Sequence, residues 1–247
     1  MPFNGLARAA GLAALALGLW PLQALAAVEA PAFKVGDHWV YREIAERAPA
    51  GFRESIIDVV VTRVSDKYIE IQTKQPDSEI PPVTRMVPAD WSRERSINGV
   101  MTTVNRPLDF PLVEGKRWDV DYTEPGPTKL VKSQTFHQHY KVTGWEDVKT
   151  PAGVYHALKI ECDGEWNKET APAQVAGTMT ERDAGGVSGG LVNRTIAAQA
   201  STGRFYKAIW YVPEVKRFVK STEEFYSSTG VRSESFSSLL QSYAPAP

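Results

Sequence analysis

Apolar and polar side chains alternate in short runs from Val35 to Gln241, turn signals separate the runs, and no stretch sustains a helical period. Residues two apart share a face of a strand, so a chain written this way buries one face of each strand and wets the other. It must close its sheet, stack two sheets, or curl one sheet around a core. The clearest runs are 52–63 (FRESIIDVVVTR) and 67–74 (KYIEIQTK), with Ser65–Asp66 between them as a hairpin turn. The long run 129–145 and its return 154–166 are joined by the turn Thr150-Pro-Ala-Gly153. Short connections predict a strongly curved antiparallel sheet, a half-barrel or open barrel of about nine to twelve strands, with a β-sandwich as runner-up.

The stretch 204–220, RFYKAIWYVPEVKRFVK, reads as a tight hairpin hinged at Pro213–Glu214. Alternation in its second arm sends Val215, Arg217 and Val219 to one face and Lys216, Phe218 and Lys220 to the other. Its bases are expected on the wet face and its aromatics on the dry one. The strand in 150–161 is its natural partner.

The first 26 residues read as a signal peptide. Arg8 is the only charge before Glu29, Leu12–Leu19 is Leu, Ala and Gly throughout, and Ala24–Leu25–Ala26 offers small residues for cleavage near Ala26. The apolar run is short of the ~20 residues a membrane span needs, so no transmembrane span is expected in the mature chain. A periplasmic or secreted destination follows. The remaining 221 residues carry 27 bases and 29 acids with the signs interspersed, which gives no field for nucleic acid. Cys162 is the single cysteine, so no intramolecular disulfide can form and the fold must stand on its core. Seven tryptophans, nine tyrosines and nine phenylalanines suit that requirement.

Residues 27–243 are expected to form one β domain, followed by a disordered tail at 244–247. Val35-Gly36-x-x-Trp39-x-Tyr41 is echoed by Glu114-Gly115-x-x-Trp118-x-x-x-Tyr122, which suggests an alternative division into two related units at about 33–106 and 107–243. The prolines at 76, 81, 82 and 88 predict an edge-like strand near 83–87. Asn98–Gly99 predicts a turn, and the glycine-rich 184–190 a mobile tip.

Few residues here can carry chemistry. His137 and His139 lie two apart on a strand and are weak candidates for metal ligands, with His156 on the partner strand as a third; solvated histidines are the plainer reading. In the return strand Val154, His156, Leu158, Ile160 and Cys162 are expected to share a buried face. Cys162 there is a small hydrophobe rather than a nucleophile. No phosphate loop or serine elbow is present, and no cofactor is implied. The aromatic excess has the widest functional reach. A concave sheet face lined by residues such as Ile160, Phe205 and Trp210 is either a packed core or a cavity for an apolar ligand.

Thr150-Pro-Ala-Gly153-x-Tyr155-x-Ala157-x-Lys159-Ile160, followed by Trp210-Tyr211-x-Pro213-x-Val215-x-Arg217-x-Val219-Lys220, resembles a pattern of bacterial secreted β proteins of uncharacterised function, including domains of the DUF3108 type. Such proteins are similar in architecture to the periplasmic lipoprotein-carrier half-barrels. The matching residues, within about 110–226, serve turns and packing, so the resemblance implies fold and compartment and brings no catalytic residue. The expected role is non-enzymatic binding or carriage of an apolar small molecule or envelope lipid. The alternatives are a structural or protein-interaction module with a solid core and, behind it, a metal-dependent hydrolase built on His137, His139 and a carboxylate.

Overall fold

The computed structural model describes residues 27–47, 51–183 and 186–247, so the expected leader lies outside the described residues. The chain starts with a four-strand meander: β1 (His38–Arg47), β2 (Gly51–Val64), β3 (Tyr68–Lys74) and β4 (Val83–Pro88). A separate hairpin follows, β5 (Arg93–Ile97) and β6 (Val100–Asn105). The chain then builds the long strands β7 (Arg117–Thr128), β8 (Val131–Thr150) and β9 (Gly153–Thr170). After an excursion through β10 (Ala173–Asp183) and β11 (Gly186–Ile196), it returns as β12 (Ala200–Val212), β13 (Arg217–Ser227) and β14 (Arg232–Ala244). No helix among the described residues is long and apolar enough to cross a membrane.

Ten of these strands form one antiparallel sheet in the order β4-β3-β2-β1-β14-β13-β12-β9-β8-β7, while β5–β6 and β10–β11 are two-stranded sheets of their own. The half-barrel or open barrel expected from the alternation is corrected by this order. β4 and β7 lie at opposite ends and do not pair, so the sheet is open, neither closed into a barrel nor strongly curved. Both edges carry prolines, Pro88 in β4 and Pro125 and Pro127 in β7, whose missing N–H cannot serve a further strand. Cover for the apolar face comes instead from the segment between the edges. Leu108 and Leu112 are buried against the sheet, and Phe110 meets Tyr211 edge-on at 5.5 Å. Nor, among the described residues, does a second large sheet stack on the first, as the sandwich required.

Local turn chemistry agrees with the sequence. Asn98 and Gly99 take φ of 51° and 81° and join β5 to β6 in two residues, the left-handed pair this dipeptide favours. The two Gly-x-x-Trp segments fold alike. Gly36 N–H donates to Val61 O and Val61 N–H to Asp37 O; Gly115 N–H donates to Val142 O and Val142 N–H to Lys116 O. In both, the following tryptophan sends its indole N–H to a distant carbonyl, Trp39 to Val215 and Trp118 to Arg106, each at 2.8 Å.

β12 pairs with β9 as expected, with Ile209 opposite Ile160 and Tyr211 opposite Leu158. A single-turn 3-10 helix, Pro213–Val215, links β12 to β13 and ends on Lys216 in the left-handed region. A register shift at Trp210/Tyr211 then breaks the simple alternation of the second arm. Arg217 turns in among aromatic rings, so the expectation of a wet face for every base of this hairpin is also corrected.

β9 departs from expectation at its start. Val154 and His156 are exposed, whereas Ala157, Leu158, Ile160 and Cys162 are buried. Consecutive buried residues at 157 and 158 point to opposite faces and join different core clusters, and the Leu158 face loses its cover at His156 and Val154. His156 is left outside, stacked on Trp145 at 5.2 Å. The glycine run Gly186–Gly190, expected as a mobile tip, is paired in β11; 184–185 lie outside the described residues.

Two apolar clusters result. One gathers Trp39, Tyr41, Val61, Ile69 and Leu240 with Trp210, and the other gathers Leu112, Tyr140, Val142, Leu158, Ile160 and Phe205.

Candidate functional site

A cleft of about 770 Å³ opens between the β3–β4 edge, the segment after β4, and the face of β12–β14. Cross-strand pairing supplies one wall: Lys207, Glu223 and Phe236 form one row across β12, β13 and β14, and Ile209, Ser221 and Ser238 the next. Ile71, Met86, Trp91 and Leu108 form the apolar sides.

Lys207 stands in an otherwise apolar run and is drawn inward by partners. Its ammonium, with 14% side-chain exposure, pairs with Glu223 at 3.0 Å and donates to Asn105 Oδ1 at 3.2 Å and Gln138 Oε1 at 3.3 Å. Gln138, itself 1% exposed, donates to the carbonyls of Val104 and Val120, and the Tyr140 hydroxyl donates to Asn105 and Gln138. This network ties the β5–β6 hairpin to the sheet, and its low-dielectric setting makes each bond depend on the others.

Arg217 is placed differently. Its guanidinium carbon lies 4.3 Å from the centroid of Trp91, 4.8 Å from Tyr41, 5.0 Å from Phe218 and 5.7 Å from Trp39. Nε and Nη1 are shielded from solvent and have no hydrogen-bond partner. Burial pushes the guanidinium pKa down, opposed by the neighbouring Tyr41 hydroxyl and Glu43 carboxyl. Burial likewise raises the Glu43 carboxyl, against the pull of Arg217 and Arg85.

The cage is held at both ends. Trp91, at φ 58°, sends its indole N–H to Lys216 O at 3.1 Å, and Lys216 itself sits at φ 61°. Such conformations are costly for residues with a Cβ and persist where surrounding contacts over-determine them. Lys216 is fixed by the fully buried Asp37, which accepts from its ammonium at 2.7 and 3.0 Å.

Ile160 and Phe205, named from the sequence as cavity lining, lie together in the second core cluster, and Trp210 lies in the first. Phe205 packs over Gly164, where a Cβ would fall 2.0 Å from its ring. Trp210 donates its indole N–H to Glu146 and lies beneath Lys220 at 4.3 Å. The cleft is lined instead by Ile209, the neighbour of Trp210. Lys207, Arg217 and Trp91 were missed; the signals were a base inside an apolar run and a tryptophan inside a polar one.

The histidines do not converge. His137 pairs with Asp121 at 3.0 Å and His139 with Asp119 at 2.7 Å, both on an exposed face, while His156 pairs with Asp147 at 2.8 Å. His137 stands opposite Glu165 and His139 opposite Asp163, so His156 lies about 23 Å or more along β9 from either. No group of three or more metal-ligating side chains occurs among the described residues. The Cys162 thiol is buried, and burial pushes its pKa up to about 11, away from nucleophilic use.

No protein-family model matches the chain, and no curated protein does. Among solved structures it is similar to a protein assigned as a lipoprotein from Parabacteroides distasonis ATCC 8503, with TM-score 0.43 and 14% identity over 88% of this chain and 99% of that one. It is also similar to a protein assigned as exported, with a YmcC-like fold, from Bacteroides fragilis NCTC 9343, with TM-score 0.41 and 12% identity over 89% of this chain and 100% of that one. Likeness this loose assigns no role to the cleft.

Proposed function

We propose that the protein is a non-enzymatic binding or carrier protein of the bacterial periplasm or exterior, exported by its leader, and that it holds the apolar part of an envelope lipid or similar amphiphile in the cleft. The observation that carries this reading is the cleft itself. Its volume lies in the range of small-molecule sites, and its lining sets apolar side chains such as Ile71, Met86, Leu108 and Ile209 beside charged and hydroxyl groups, a composition suited to an amphiphile. The leader supports the compartment.

The test is extraction and mass spectrometry of protein purified from the periplasm, together with displacement of a fluorescent fatty acid. An acyl-bearing molecule is expected in the extract. Ile209→Trp, which fills the cleft from one wall, is expected to weaken displacement at least about tenfold, the effect of losing one well-packed apolar subsite. Absence of both a co-purified ligand and saturable binding refutes the reading.

A further inference from the structure

We infer that Arg217 is the head-group anchor of this cleft, binding an oxyanion, carboxylate or phosphate, on the amphiphile; the inference rests on the cleft being a ligand site. Two neighbouring cations are already engaged. Lys216 is held by Asp37, and Lys207 by Glu223, Asn105 and Gln138. Arg217 faces the same cleft with two shielded nitrogens unpaired and no carboxylate within ion-pair distance among the described residues. Four aromatic faces offset part of the cost of burying a cation, but π-faces do not accept the directed hydrogen bonds of a guanidinium fork.

Charge around the cleft points the same way. The bases Arg85, Arg93, Lys207 and Arg217 line it against two acids, Glu94 and Glu223, and Glu223 is engaged by Lys207. Glu43, whose charge reaches Arg217, forms no ion pair with it. An oxyanion at the guanidinium supplies acceptors that the protein does not, and the cage fixes the planar group so that little freedom is lost on binding. The apolar tail then runs along Ile71, Met86 and Ile209.

The experiment compares three probes of one chain length, hexadecanoate, hexadecyl phosphate and hexadecanol, by calorimetry at neutral pH on wild type, Arg217→Lys and Arg217→Met. The wild type is expected to prefer at least one anion over the alcohol by about 10- to 100-fold, the range for a hydrogen bond to a charged group, and the preferred anion distinguishes carboxylate from phosphate recognition. In Arg217→Met that preference is expected to fall below about threefold while the alcohol still binds, and Arg217→Lys to keep part of it. Equal binding of anions and alcohol by wild type overturns the head-group role and leaves the cleft reading intact. Failure of all three probes overturns the cleft reading. A preference that survives in a folded Arg217→Met protein overturns the assignment to Arg217. Should the circular dichroism of Arg217→Met show it unfolded, the wild-type comparison and Arg217→Lys decide: undiminished preference in the lysine variant overturns the fork geometry on which the anchor depends.

Discussion

Replacing Asp37 by alanine removes one carboxylate that holds three separate parts of the chain. It accepts from Lys34 N–H at 2.8 Å, from the Lys216 ammonium at 2.7 and 3.0 Å, and from Ala246 N–H at 3.1 Å, with no exposure of its own. Lys216, only 18% exposed, would keep its charge without a partner, and two backbone donors would lose their acceptor. Breaking a buried pair from one side costs about 3–5 kcal/mol. For a domain of this size that corresponds to a fall in Tm of roughly 6–20 °C. Burial pushes the Asp37 carboxyl upward, but the Lys216, Lys34 and Ala246 hydrogen bonds outweigh it and hold its pKa below the usual range. With the folded value depressed, the unfolded chain takes up the proton first. This stabilisation is therefore complete above the ordinary carboxylate pKa and disappears as pH falls through the folded value. Urea unfolding across that window should show wild-type stability declining toward that of Asp37→Ala in acid. A double-mutant cycle with Lys216→Met should give coupling of at least about 1 kcal/mol. A loss below about 1 kcal/mol for Asp37→Ala at neutral pH, within the ordinary spread of surface substitutions, refutes the argument.

Gly99→Val forces a β-branched residue into φ 81°, and should cost about 1–2 kcal/mol, seen as faster amide exchange concentrated in residues 93–105. Gly164→Ala drives a methyl into the Phe205 ring and should lower stability by about 1–3 kcal/mol in urea titration, whereas Gly126→Ala, with open space around its Cβ, pays only for its φ of 59°. Cys162, its thiol pushed up to about 11, should resist iodoacetamide at pH near 8 in the native protein and react on unfolding; rapid native labelling by mass spectrometry contradicts its burial.

Local structure was legible because its causes are local. Asn98–Gly99, Thr150–Gly153 and Pro213 mark turns through backbone preferences of one or two residues, and the β9–β12 pairing follows from two matched apolar runs. The open sheet was not legible, because hairpin spacing is the same in open and closed sheets. What separates them is that β4 and β7 stay unpaired while residues 89–112 serve as cover, both non-local outcomes. His156 was misplaced for a related reason: alternation gives a face but not the cover over it, and His156 keeps step with Leu158 yet stacks on exposed Trp145 beyond the buried part of the strand. At the cleft, the expectation that every base of this hairpin is wetted put Arg217 in water, although alternation set it beside Val215 and Val219; a sequence pattern does not register four rings brought from β1, β13 and the segment after β4.

The seam between β1 and β14 sets the order in which the molecule can be finished during synthesis. His38 lies opposite Ala244, and Trp39 stacks on Tyr243 at 5.8 Å, so the middle of the sheet is made from its first and last strands in the sequence. A nascent chain can form the β1–β4 meander early, yet β1 keeps one bare edge until residues 232–244 have left the ribosome. Pairing across such a separation is slow to close, and the bare edge invites misassembly meanwhile. A chain cut short before β14 would expose both flanks of the seam, β1 and β13, and so carry its own mark for proteolysis.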